Sequence, residues 1–438
     1  MGLNSILYFC FLMNTYLLQT VHILWPGSLH HDQIRDVLIQ NGKIIRIAEN
    51  IAEQPKGARV VEGRGQYLCP GFFDLNANYG EPGFETKEDI QTGSSAAMAG
   101  GFVGVAVHPN TNPPLHRQAE IALIRNRARG LGVDVYPMGT ISKRREGQEL
   151  AELYDMQQSG ALAFTDGDRN VADAGLMGRA LLYGKGIDAL IVSYADDRKI
   201  SEGTSMNEGE VSTYLGMKGN PNLAESLMVA RDLYLAEYHD ARIHFTTIST
   251  AESVDLIRQA KARKLAVTCD VAAHHLVLTD EAVKTFDSQY KVHPPLRTKK
   301  DIKALLKGLK DGTIDAIVSQ HTPHEIEFKR VEFQMAKDGI IAQQTVLPLL
   351  LKAGLSPAQI IDKLALGSRA VVGLPIPVLE EGAAASLVLF DPKKEWVFDA
   401  KTNRSKSANS PFMGEKWQGL VTFTMNNSQI YEAYGPTN

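Results

Sequence analysis

Short apolar runs separated by turn residues open the chain: Leu17-Leu18-Gln19-Thr20-Val21-His22-Ile23-Leu24, then Asp36-Val37-Leu38-Ile39-Gln40-Asn41-Gly42-Lys43-Ile44-Ile45-Arg46-Ile47. In the second run the pair Asn41-Gly42 lies between alternating segments, the pattern of a two-residue β-hairpin. Leu387-Val388-Leu389-Phe390, Gly419-Leu420-Val421-Thr422-Phe423-Thr424 and Gln429-Ile430-Tyr431 repeat the style near the other end. Two β-rich ends predict one small β-sandwich assembled from both, residues 13–66 and 371–438. Between them, over 67–370, the pattern changes. Eight strand-length apolar runs appear, Tyr67–Leu75, Phe102–His108, Val133–Gly139, Ala161–Thr165, Ala189–Ser193, Arg242–Ile248, Ala266–Val271 and Asp315–Ser319. Stretches such as Ala251–Ala260, with apolar residues three and four apart, read as helices between them. Eight β/α units make a TIM barrel. A doubly wound sheet uses the same local patterns but wants Gly-x-Gly-x-x-Gly after its first strand, and Gly80 and Gly83 do not fit that spacing. The expected fold is therefore α/β, a (β/α)8 barrel with an appended β-sandwich.

Composition narrows the function without naming it. At 438 residues, 44% hydrophobic and 22% charged, the chain can bury a large core and reads as a globular protein. Its 46 Lys+Arg against 50 Asp+Glu give a net charge of -4, with no basic block, so neither nucleic acid nor an anionic membrane is an expected partner. Cys10, Cys69 and Cys269 are too scattered for a disulfide framework or a cysteine metal site. Residues Ser5–Met13 form an apolar run of signal-peptide size that lacks a basic lead-in and a small-residue cleavage site. Two readings stand for it: translation starting at Met13, with residues 1–12 an extension, or a weak export signal. The first, with a cytoplasmic location, is the expectation.

In a barrel, chemistry sits at the C-terminal ends of the strands, so the polar residues there carry the functional reading. Asn76 and Asn78, two apart, share one face of the first strand. Their segment, Pro70-Gly71-Phe72-Phe73-Asp74-Leu75-Asn76-Ala77-Asn78-Tyr79-Gly80-Glu81-Pro82-Gly83, resembles the opening barrel strand of the class I dihydroorotases of the amidohydrolase superfamily. That family reads Asp-x-His-x-His followed by an arginine. Met206–Thr213, Gly308–Ile317 and Lys406–Phe412 also look like class I landmarks, and the resemblance runs from about Met13 onward. Laid on these motifs, the zinc histidines are Asn76 and Asn78. Thr165-Asp166-Gly167-Asp168 is similar to the family's Asp-Asp-Gly, which contains the bridging carboxylate: Asp166 matches the first Asp, Gly167 replaces the second, and Asp168 sits where the glycine should be. Ser193 stands at the histidine of His-Cys-Glu-Asp, and Thr247 at the histidine of His-Val-Ser-Thr-Ala-Glu-Ser. Gln320 replaces the proton-shuttling aspartate of Thr-Asp-His-Ala-Pro-His. On the substrate side Gly80 replaces the arginine, Asn110 matches a carboxylate-binding asparagine, His293 replaces a second one, and Asp338 sits in the Ala-Pro-Phe-Gly loop, where its charge would repel an anionic ring.

Zinc favours imidazole, thiolate or carboxylate over carboxamide, and an amide cannot exchange a proton near neutrality. The resemblance therefore implies a dihydroorotase-like pseudoenzyme of pyrimidine biosynthesis, without bound zinc or ring hydrolysis. As with degenerate members of the family, it implies a structural or regulatory partner of aspartate carbamoyltransferase and a homo-oligomer. Two alternatives stand beside it. One is a cyclic-amide hydrolase with an unconventional or single-metal site that uses Asp166, with His108 or His293 as candidate companions. The other is a sensor of pyrimidine intermediates. The family carries histidines at the positions of His274, His275, His321 and His324 without using them as zinc ligands, so these are expected to be structural.

Overall fold

The computed structural model describes residues 15–53 and 55–433, so the expectation for residues 1–12, and Cys10 with it, lies outside the described residues. The terminal sheet is eight-stranded and is drawn from both ends of the chain. Thr15–Ile23 pairs antiparallel with Gln33–Gln40, which turns through Asn41-Gly42 into Lys43–Ala48. Asn41 and Gly42 both have positive φ, 50° and 72°, so the expected tight hairpin forms with mirror-image turn geometry. On its other side the sheet continues through Tyr67–Pro70, Leu387–Val397, Lys416–Asn426 and Gln429–Glu432. It wraps a core of its own, in which Leu18, Val37 and Ile39 from the early strands meet Leu387, Leu389 and Phe423 from the late ones.

The first barrel strand differs from expectation. The run Tyr67–Leu75 is broken at Gly71: Tyr67–Pro70 pairs with Leu387–Phe390 in the terminal sheet, while Phe72–Ala77 pairs with Phe102–Val107 in the barrel. A Cβ on residue 71 would lie 2.3 Å from Val103 Cγ1, so the crossing between the two sheets requires glycine. The barrel thus begins at residue 72 rather than 67.

From there the strands run parallel, Phe72–Ala77, Phe102–Val107 and Asp134–Pro137, then Ile191–Tyr194, Ile243–Thr246, Val267–Ala272 and Ala316–Val318. The expected fourth strand is reduced to Phe164, which bridges Gly139 on one side and Ile191 on the other. A bridge between Ala77 and His321 joins the last strand to the first and closes the barrel. Among the described residues, no helix is long and apolar enough to cross a membrane.

Candidate ligand-binding site

The strand ends converge on a cavity of about 100 Å³. Its wall includes Asn76 and Asn78 from the first strand, His108 after the second, Asp168 after the fourth, Tyr194 on the fifth, His274 after the seventh and Gln320 after the eighth. Asn110, Gly167, Arg198, His293, Thr322 and Asp338 complete most of the rim.

The amides are fixed by one another and by hydroxyls. Asn76 Nδ2 donates to Thr246 Oγ1 at 3.1 Å, and Asn78 Nδ2 donates to Thr322 Oγ1 at 3.1 Å. Asn78 Oδ1 in turn accepts from Asn110 Nδ2 at 2.6 Å. Gln320, held at a left-handed φ of 52°, donates its Nε2 to the His293 carbonyl at 2.8 Å.

Charges at the mouth are mutually compensated. Asp168 binds Arg145; burial works against its carboxylate, but Arg145 and Arg198 hold it below the ordinary range. His293 Nε2 meets Asp196 Oδ2 at 3.1 Å, and although burial opposes its charge, this carboxylate raises the imidazole above its ordinary 6.5. Deeper in, burial dominates. It lowers His108 to about 4 and, together with the neighbouring His275, drives His274 well below the usual range, so both rings are neutral near pH 7.

Comparison with known proteins settles the family. A protein of Acetivibrio thermocellus named dihydroorotase is 40% identical over 415 residues, covering 93% of this chain and 97% of its own. The chain belongs to the dihydroorotase family. Another dihydroorotase, of Pelotomaculum thermopropionicum, is 43% identical over 401 residues, 90% of this chain and 93% of its own. The family model described as dihydro-orotase-like matches residues 65–253, and the amidohydrolase family model matches residues 184–430. Among solved structures, the L-hydantoinase (dihydropyrimidinase) of Arthrobacter aurescens superposes with a TM-score of 0.82 at 21% identity, over 97% of both chains. A D-hydantoinase (dihydropyrimidinase) from Thermus sp. gives 0.75 at 22% identity, over 96% of this chain and 98% of its own. These last two speak for the fold, an amidohydrolase-type barrel with a β-sandwich.

Against the dihydroorotase motifs, Asn76, Asn78, Asn110, His293, Gln320 and Asp338 are gathered at one cavity, and the other four expected residues, Asp166, Ser193, Thr247 and Gly80, are not. Asp166 lies away from the cavity. Its carboxylate accepts from the backbone N–H groups of Ile141 and Ser142, both at 2.9 Å, and from the Ser142 hydroxyl. The inward position on that turn is Gly167, where a Cβ would fall 1.8 Å from Asn110 Oδ1. Ser193 also faces outward, donating to Asp232 Oδ2 at 2.7 Å on the helix Leu223–His239, because alternate strand residues point to opposite sides. Tyr194 takes the inward place. Thr247, at φ 54°, is buried with its N–H on Asp270 Oδ1 at 2.6 Å and does not line the cavity; its neighbour Thr246 makes the bond to Asn76.

Gly80 is enclosed rather than open to a ligand, since a Cβ there would meet the Phe84 carbonyl oxygen at 2.0 Å. The four histidines expected to be structural divide. His275 Nε2 pairs with the Pro294 carbonyl at 3.0 Å, His321 Nε2 with Glu88 at 3.3 Å and His324 Nε2 with the Asp338 carbonyl at 2.8 Å. His274 instead faces the cavity and was missed, as were Tyr194 and Asp168. A signal for Tyr194 was present: taking Asp196-Asp197 as the Glu-Asp of His-Cys-Glu-Asp moves the histidine position from Ser193 to Tyr194.

The donor set does not fit the zinc of an amidohydrolase. Four carboxamides line the cavity, His293 and Asp168 are committed to ion pairs, and no group of three His, Cys, Asp or Glu able to hold a metal exists among the described residues.

Proposed function

We propose that this chain is a non-hydrolytic member of the dihydroorotase family, retained for its barrel and surface, that serves pyrimidine biosynthesis as a structural or regulatory partner of aspartate carbamoyltransferase. One observation carries the first half of this reading. The inward positions at the ends of strands one, four, five and eight hold Asn76, Asn78, Gly167, Tyr194 and Gln320, none of which is a good zinc ligand or a proton shuttle near neutrality. Ring hydrolysis in this family's manner demands a metal-activated water, and these five positions offer neither a metal ligand nor a proton shuttle to generate one. Identity of about 40% across nearly the whole of relatives named dihydroorotase supports a preserved scaffold and, with it, a preserved docking surface. The alternative of a single-metal hydrolase built on Asp166 is the weaker reading, because that carboxylate is spent on residues 141–142.

The test is direct. Purified full-length chain is expected to carry no stoichiometric zinc by elemental analysis and to interconvert neither dihydroorotate nor carbamoyl aspartate with zinc added. Stoichiometric zinc together with ring opening would overturn the proposal. The partner half is checked separately, by co-purification of the chain with aspartate carbamoyltransferase from the same organism; two independent elution peaks would remove that half alone.

A further inference from the structure

At the opposite end of the barrel from the strand-end cavity, a buried cation stands without a counter-ion. Phe73, Gly104 and Asp134 lie at or near the starts of strands Phe72–Ala77, Phe102–Val107 and Asp134–Pro137, and with Arg369 they line a cleft of about 390 Å³. Arg369 is 5% exposed and lies over the Phe73 ring, 5.6 Å from its centroid. Its Nη1 donates to the Ala365 carbonyl at 2.9 Å, while Nε and Nη2 have no partner among the described residues and are not sealed from solvent. No carboxylate of the described residues lies within ion-pair distance of it; the acid of the same cleft, Asp134, is engaged by Asn426 Nδ2 at 3.3 Å and Asn427 Nδ2 at 2.9 Å. Burial works against the guanidinium and lowers its pKa to about 10, which leaves it cationic at neutral pH. Buried charges are ordinarily paired and hydrogen-bonded, so an arginine that keeps two nitrogens free beside an open cleft points to an anion that completes it.

The rest of the cleft narrows the kind of anion. Nε and Nη2 share one edge of the guanidinium plane, and two parallel N–H donors on one edge match the two oxygens of a carboxylate. Arg369 and Asp134 are the only charged residues of the lining among the described residues, so a second negative charge on the ligand would enter beside Asp134 with no second cation to meet it. One wall is the apolar strap Leu374-Pro375-Ile376-Pro377-Val378, stiffened by its prolines and pinned where Trp25 Nε1 donates to the Pro377 carbonyl at 2.9 Å. Ile376 and Val378 on it are 42% and 54% exposed, apolar surface that a hydrocarbon chain would cover. The volume falls within the range of about 300–1,000 Å³ usual for small-molecule sites.

We propose that this cleft binds a small aliphatic monocarboxylate, its two oxygens on Nε and Nη2 of Arg369 and its chain against the strap 374–378. The site is separate from the strand-end cavity and does not depend on whether that cavity hydrolyses a substrate.

Titration calorimetry of the full chain with three probes of one chain length tests it: hexanoate, the neutral hexanamide, and the doubly charged hexanedioate. Hexanoate is expected to bind with a Kd below about 1 mM and to raise the melting temperature, with the amide and the diacid at least about tenfold weaker. Arg369→Met keeps an apolar stem over Phe73 and removes the charge, and should weaken hexanoate by about tenfold or more. Arg369→Lys should do the same, because an ammonium cannot make the two-pronged contact. The melting temperature of each free variant shows whether it folds. Ile376→Asp changes an exposed rim position and sets a negative charge beside the entering carboxylate; it should weaken hexanoate by about threefold or more, and it decides the matter if the Arg369 variants do not fold. No heat and no melting shift up to about 10 mM hexanoate would mean that Arg369 is completed by water alone, and the proposal falls. It falls equally if hexanamide or hexanedioate binds as well as hexanoate, or if a folded Arg369→Met or Ile376→Asp variant binds hexanoate unchanged.

Discussion

Two belts of buried polar side chains circle the same strand ends, and they are satisfied to very different degrees. In the outer belt Asp166 accepts three hydrogen bonds from residues 141–142. Asp270 holds His244, the Thr246 hydroxyl and the Thr247 N–H, and Asp232 holds Ser193 and Arg231. In the inner belt His108, Asn110, Tyr194, His274 and Gln320 each present at least one unpartnered atom. Asp166, Asp232 and Asp270 are drawn into holding the loops and helices around the strand ends, the five inner side chains are uncharged, and the charge at the cavity is carried by Asp168, Arg198, His293 and Asp338. The difference separates what keeps this barrel folded from what it can bind.

The largest effect should come from breaking the outer belt. Asp166→Ala strips two backbone N–H groups and a serine hydroxyl of a charged acceptor in a buried place. Donors left unsatisfied there cost more than the bonds themselves are worth net. A loss of about 3–5 kcal/mol is expected from urea unfolding, with Asp166→Asn losing less because a carboxamide oxygen still accepts. A loss below about 1 kcal/mol for Asp166→Ala would erase the contrast between the belts.

His293 tests the boundary, since it lines the cavity yet is paired as the outer residues are. Its pKa is raised, so the stability it adds is complete below its ordinary 6.5 and is lost as pH rises through the higher folded value. Asp196 is lowered, because its hydrogen bond with His293 overcomes the burial that opposes its charge, and its contribution is present above the ordinary 3.8 and lost as pH falls through the lower folded value. The pair therefore stabilises most between those two ordinary values. The melting-temperature gap between wild type and His293→Gln should be widest near about pH 5.5 and shrink by about pH 8.5. A gap that does not change with pH would show that His293 acts by packing alone.

Inside the cavity the expectation reverses. His274 has both ring nitrogens unpartnered, so His274→Phe removes two unsatisfied polar atoms while keeping an aromatic ring, and should leave stability within about 1 kcal/mol of wild type. A loss comparable to that of Asp166→Ala would mean that His274 is held as firmly as the outer belt.

How much of this was readable from the chain follows from how far each feature depends on distant partners. The hairpin at Asn41-Gly42 and the eight β/α units follow from local pattern and were legible. The break at Gly71 was not, because it is enforced by Val103, a residue of the neighbouring strand that fills the space of a side chain at 71. The positions of Asn76, Asn78 and Gln320 were legible from motif spacing. Ser193 was misplaced by a single residue, and in a strand one residue is the whole difference between facing the cavity and facing a helix. Asp166 could not be judged from spacing at all. Its orientation is decided by two N–H groups on a different turn, 24 and 25 residues away, and by glycine at 167, which lets Asn110 occupy the inward place.

The smallest effect is expected from the change that looks most restorative. Asn76→His/Asn78→His returns the histidine pair of the family motif to the first strand, yet both new imidazoles would enter a wall already knit together. Asn78 accepts from Asn110 and donates to Thr322, and Asn76 donates to Thr246, so two imidazoles must displace three side-chain hydrogen bonds to meet at a metal. They would also meet it almost alone. A structural or catalytic zinc takes at least three protein ligands, and the remaining inward positions still hold Gly167, Tyr194 and Gln320. Elemental analysis after dialysis is expected to find less than about 0.1 zinc per chain, and the dihydroorotate assay no turnover above that of wild type. Zinc near one equivalent in the double variant would show that the two asparagines alone keep the metal out, and that the loss of the other ligands followed from theirs.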